Sequence, residues 1–172
     1  MPLIALASVK SSPGVTTAAL ALASAWKNAE RRLLVEADPS GGDLGLWLGL
    51  PANAGLAGLA AAARHGHDAG LPWRHARELA GGAHLVTAPA GAEQAAACVT
   101  ALAIAKLPQE LAAGPEPTLA DCGRLYPGSR PSRSPPPLHS RCWWSGRGSA
   151  SWPTWSRGSA DWSRQGCGSP SS

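Results

Sequence analysis

Short apolar runs alternate with longer Ala/Leu-rich stretches through the first 125 residues. Residues 3–9 (LIALASV) have the pattern of a buried strand, and a tight turn follows. Residues 16–27 predict a helix, with Ala, Leu and Trp26 over a broad apolar face and an end at Asn28 or Ala29. Residues 32–36 (RLLVE) are mostly apolar and suit a central parallel strand. The acids, Pro and Gly of residues 36–43 (EADPSGGD) then place carboxylates at the ligand edge of an α/β sheet. Residues 44–50 are an apolar connection, residues 56–64 a helix with a small-residue face, and residues 64–70 a loop. Residues 84–89 predict a third strand, introduced by Gly81 and Gly82. Residues 92–107 predict a helix, with Pro108 ending it or starting the next turn, and residues 117–122 a fourth strand carrying Asp121 near its end. Strands alternating with helices imply an α/β fold, a doubly wound and mostly parallel sheet.

The candidate chemistry lies in residues 9–17, VKSSPGVTT, between the first strand and the first helix. The phosphate-loop pattern G-x-x-x-x-G-K-[ST], laid on residues 9–16, keeps Gly14 and Thr16. Val9 replaces its first Gly, and Val15 replaces the Lys that would reach the β- and γ-phosphates. Lys10 stands near the start of the loop and Thr17 follows Thr16. This arrangement resembles the deviant loop of the ParA/MinD family of partitioning and positioning ATPases, K-G-G-x-G-K-[ST]-T, read here as KSSPGVTT. Ser11 and Ser12 stand for the two glycines. A second motif resembles the same family: Glu36 and Asp38, followed by Pro39, match its two acids after the second strand. A third match is Asp121, at the end of a short apolar run.

The resemblance implies a P-loop NTPase fold and a bacterial ATP-binding protein acting in chromosome or plasmid partitioning or in site positioning. It implies that Lys10 reaches across a nucleotide-dependent homodimer to the partner's phosphates. Lys10, Ser11, Ser12, Gly14, Thr16 and Thr17 would contact ATP. Thr16, Asp38 and Asp121 would serve Mg2+, and Asp38 would also position the attacking water. A partitioning or positioning partner protein is implied as well. The residues themselves qualify this. Loop amides and a helix N-terminus still favour an anion. The missing Lys removes a full charge, and Ser11 and Ser12 lack the freedom of glycine at φ > 0. Nucleotide binding is therefore expected, with ATP hydrolysis impaired. The plainer alternatives stay open: an ordinary strand-to-helix turn, a turn-forming Asp38, and a loop Asp121. So do a non-catalytic partner-binding module and a non-functional truncated product.

Composition is unusual mainly at the far end of the chain. At 172 residues the chain is long enough for one full core, and no 18-residue apolar run or secretory signal interrupts it, so a cytoplasmic protein without a transmembrane segment is expected. Four cysteines, Cys98, Cys122, Cys142 and Cys167, lack metal or disulfide spacing. His65, His67 and Asp68 read as solvated loop rather than ligands. The net charge of +4 is unevenly spread. Nine Lys/Arg and ten Asp/Glu precede Ser129, whereas six Arg and one Asp follow Gly128. The near-neutral body does not support nucleic-acid binding. The Ala-, Leu- and Gly-rich composition suits a GC-rich genome.

Residues 1–128 are thus read as an incomplete P-loop NTPase-like domain, truncated at the C-terminus, because the resemblance ends near Leu125. Residues 129–172 form a Ser/Pro/Arg/Trp-rich tail with no strand or helix pattern and a disordered composition. Five of the eight tryptophans lie here: Trp143, Trp144, Trp152, Trp155 and Trp162. The single Trp codon, TGG, makes this tail legible in another frame. If each original codon was the last base of one present codon plus the first two of the next, every Trp becomes Leu, Val or Met. Residues 142–145 then become an apolar strand, apart from a Val-or-Glu choice at the last. Trp152, Trp155 and Trp162 become aliphatic, as do Ser156, Ser159 and Ser163 with TCN codons, in the stripe of an amphipathic helix. The other shifted frame turns each Trp into Gly. A frameshift between about Tyr126 and Cys142 is therefore expected. The alternative is a native disordered tail binding a partner or an anionic surface.

Overall fold

The computed structural model describes residues 3–8, 14–26, 31–51, 55–66, 68–124 and 141–144. The chain runs β1 (Leu3–Ser8), α1 (Val15–Ala25), β2 (Arg32–Glu36), α2 (Leu44–Trp47), α3 (Leu56–Ala63) and α4 (Leu71–Arg74). It continues β3 (Arg77–Glu78), β4 (Ala83–Val86), α5 (Ala92–Ile104), α6 (Leu107–Ala113), β5 (Thr118–Arg124) and β6 (Arg141–Trp144). The six strands form one sheet in the order β3-β4-β2-β5-β1-β6. All pairs are parallel except β3 with β4, so this is a mostly parallel α/β sheet.

β2 shows why the fold is α/β. All five of its residues are buried, and alternate side chains serve opposite faces. Leu33 and Val35 pack with Val86 against Leu56, Leu59, Cys98, Leu102 and Leu107 of α3, α5 and α6. Leu34 packs with Leu6, Leu85 and Leu119 against Val15, Ala19 and Ala23 of α1 and Leu44 of α2. A strand that must be apolar on both sides leaves no alternation in its sequence. Each fully buried Leu contributes about 1.5–3 kcal/mol. Arg32 opens β2 with a buried guanidinium. Its Nε donates to the Ala23 carbonyl at 2.7 Å and its Nη2 to the Gly81 carbonyl, tying α1 to the β3–β4 turn.

Several expectations are corrected. Residues 44–50 hold the short helix α2, not only a connection. The helix expected over residues 92–107 breaks after Ile104. Lys106 turns left-handed at φ 61, and Pro108 enters the first turn of α6, where its missing N–H costs nothing. α5 and α6 meet at 64°. The edge strand β3 was not foreseen: it has two exposed, charged residues and no period to read. β5 runs past Asp121 to Arg124. The tail reading, which assigned no strand to residues 129–172, missed β6, whose backbone pairs in parallel with β1 from Ile4↔Arg141 to Ala7↔Trp144. The physical reason is the outer edge of β1, whose N–H and C=O groups otherwise have no ladder partner. Among the described residues, no single helix is long and apolar enough to cross a membrane.

Candidate functional site

At the carboxyl ends of β1 and β5, facing the start of α1, lies a cleft of about 350 Å³. Ser8, Gly14, Thr16, Thr17, Asp38, Asp43, Trp47, Gly123 and Arg124 line it, together with Val15. The sequence reading singled out Gly14, Thr16, Thr17 and Asp38, and all four share this wall. Lys10, Ser11 and Ser12 lie outside the described residues.

Gly14 sits at φ 111, and no atom lies within 4 Å of where a Cβ would be, so the need for glycine here is conformational rather than spatial. Its carbonyl accepts the Ala18 N–H at 2.8 Å, which starts α1. Among the described residues no side chain caps the helix. The first turn of α1, whose amides an α-helix cannot satisfy internally, lies in the wall of the cleft with the positive end of the helix dipole. Val15 is buried with Leu6, Ala19 and Leu119. The position at which the phosphate-loop pattern has its Lys is used here for packing.

Three carboxylates stand at the strand ends, each in a different state. Asp121 is fully buried. Its Oδ1 accepts the Gly123 N–H at 3.0 Å, while its Oδ2 has no hydrogen-bond partner. Burial pushes its pKa up; the Thr16 hydroxyl and the Gly123 N–H pull it down, and the nearby Asp38 carboxylate raises it. Asp38 accepts the Ser40 N–H at 2.7 Å through Oδ1, an Asx turn of the kind an Asp before Pro favours. It also lines the cleft. Glu36 is almost wholly buried and plays a different part. Its Oε1 accepts the N–H groups of Asp43 and Leu44 at 2.8 and 2.9 Å, and its Oε2 accepts that of Ala88 at 2.8 Å. One carboxylate thus caps α2 and anchors the loop after β4. Burial raises its pKa against these three N–H groups, and the charge of Asp121 adds to the rise.

Thr16, Asp38 and Asp121 offer an all-oxygen donor set, suited to a hard divalent cation that keeps several waters. Among the described residues, no group of three or more His, Cys, Asp or Glu forms a metal cage. Asp68 is engaged elsewhere: it pairs with the Arg74 guanidinium at 3.1 and 3.0 Å and accepts the Gly70 N–H at 2.7 Å. His67 lies outside the described residues.

Of the lining residues, sequence reasoning did not single out Ser8, Asp43, Trp47, Gly123 or Arg124. Asp43 closes the acidic turn after β2 and carried the only readable signal. Arg124 had none, because its place in the cleft depends on a break in strand alternation.

No protein-family model matches the chain, and no curated protein matches it in sequence. Among solved structures it is similar to the crystal structure of the chimerical protein CapA2B2, at a TM-score of 0.54 and 17% identity. The likeness covers 72% of this chain and 53% of that one, so this chain spans about half the length of the structure it matches. At that identity the likeness shows a shared α/β fold.

Proposed function

We propose that this chain binds a magnesium-bound nucleoside triphosphate, ATP by its resemblance to the ParA/MinD ATPases, and hydrolyses it slowly or not at all. The observation that carries the reading is the buried Asp121. Its unpartnered Oδ2 belongs to a carboxyl that feels both the Thr16 hydroxyl, in the first turn of α1, and Asp38. An orphaned buried oxygen costs stability unless a ligand completes it. In this reading Gly14, Thr16 and Thr17 meet the phosphates. Thr16, Asp38 and Asp121 hold Mg2+, which neutralises phosphate charge when bound. The P-loop NTPase type of the fold, the roles of Lys10, Ser11 and Ser12, a nucleotide-dependent homodimer and a partitioning or positioning partner rest on the resemblance.

Titration calorimetry with ATP and Mg2+ on the intact protein tests the reading. Weak binding with little turnover is expected. Tight binding with rapid hydrolysis would mean that the Lys missing at Val15 is not needed. A second reading, a non-catalytic partner-binding module, is favoured by the burial of Val15, which commits the lysine position to the core. No binding at millimolar nucleotide would select it.

A further inference from the structure

The pairing of β1 with β5 slips at its end. Leu6 lies opposite Asp121, but Ser8 lies opposite Arg124. Two steps along β1 therefore face three along β5, and the extra residue is a β-bulge. Gly123, at φ 59, takes the left-handed conformation within it. The bulge changes which way Arg124 faces. In a regular strand Arg124 would lie on the face opposite Asp121, since side chains alternate. Opposite residues of paired strands share a face, so Leu6, Ser8, Asp121 and Arg124 all lie on the side packed by α1. That is the side of the cleft, and Arg124 lines it beside Gly14, Thr16 and Asp38.

The charge balance of the cleft gives this placement its meaning. Among its described lining residues there are two carboxylates, Asp38 and Asp43, and one cation, Arg124. A polyphosphate needs positive charge there, and position 15 supplies none. We propose that Arg124, turned into the cleft by the bulge at Gly123, binds the phosphate chain of the nucleotide and supplies the charge that Val15 lacks. This deepens the nucleotide-binding reading and rests on it. A guanidinium suits the task, because its planar fork can meet two phosphate oxygens at once.

Calorimetry with Mg2+ and either ATP or pyrophosphate, on the parent, Arg124→Ala, Arg124→Gln and Arg124→Lys, tests this. Arg124→Ala and Arg124→Gln are expected to weaken binding of both ligands by about tenfold or more, while Arg124→Gln still unfolds cooperatively. Arg124→Lys should recover part of the loss, since it keeps the charge but not the fork. If Arg124→Ala does not fold, the comparison of Arg124→Gln with Arg124→Lys decides. Parent-like affinity in the neutral variants overturns the role of Arg124 and leaves nucleotide binding standing. Absence of nucleotide binding by the parent overturns both.

Discussion

A Cβ on Gly123 would land on the Asp38 carboxylate, and the residue also sits at φ 59. Gly123→Ala therefore meets two obstacles, left-handed strain of about 1–3 kcal/mol and a clash with a cleft residue. We expect a lower melting temperature and weaker Mg2+-nucleotide binding together; a variant that matches the parent in both would show that the bulge tolerates a side chain. Glu36 makes a different prediction, in pH. Burial raises its pKa above the ordinary 4.5, so the folded protein binds this proton more readily than the unfolded chain. Its contribution to stability is fully present below 4.5 and is lost as pH rises through the higher folded value. His75 has the opposite sign: burial holds it below 6.5, so its contribution is lost as pH falls. The readout is thus the difference between the parent and Glu36→Gln. The Gln amide can accept N–H groups at only one end, so the variant should be less stable, by about 1–3 kcal/mol. As pH falls from 7 towards 4.5, the parent's advantage should widen; urea melts across that range that show a constant gap would contradict the raised pKa.

At the scale of elements, exposure separates leucines that look alike in sequence. Leu119 on β5 is fully buried between two sheet neighbours and α1, whereas Leu46 on α2 is 83% exposed. Leu119→Ala is expected to cost about 2–5 kcal/mol, and Leu46→Ala to change stability by less than about 0.5 kcal/mol. Denaturant unfolding of the two variants checks the contrast. The core strands were legible because β2 and β4 are short apolar runs ended by acids or by Pro, and α1 and α3 because Ala and Leu run on past the length of a strand. Five elements were not: α2 and α4 are four residues each, too short to show a helical period. α6 hides behind the break at Lys106, β3 has two charged residues, and β6 lies in a composition that suits no element. The candidate site was half legible. Motif spacing pointed to Gly14, Thr16, Thr17, Asp38 and Asp121, but strand parity alone would have turned Arg124 away from them. No local pattern distinguishes Glu36, which holds backbone, from Asp38, which faces the cleft.

For the whole molecule, three of the four residues of β6, Cys142 to Trp144, are residues that the shifted reading frame turns apolar. We expect resequencing of the locus to reveal a frame change between about Tyr126 and Cys142; an unbroken frame through this region would sink the idea. The strand order has a further outcome for how the chain is made. β1 and β2 follow one another as strands in the sequence yet do not pair, because β5 lies between them. While residues 1–117 emerge from the ribosome, β1 stands apart from the ladder of β3, β4 and β2, and neither piece can complete its hydrogen bonds. Folding must wait for a segment more than a hundred residues downstream of β1, which makes closure slow and the nascent chain dependent on protection. A fragment of residues 1–114 should show no cooperative thermal unfolding, whereas the full chain should. A cooperative transition in the fragment would mean that β1 and β2 can pair without β5. The wedge that locks the sheet is complete at Arg124, two residues before the region where the frame is expected to change.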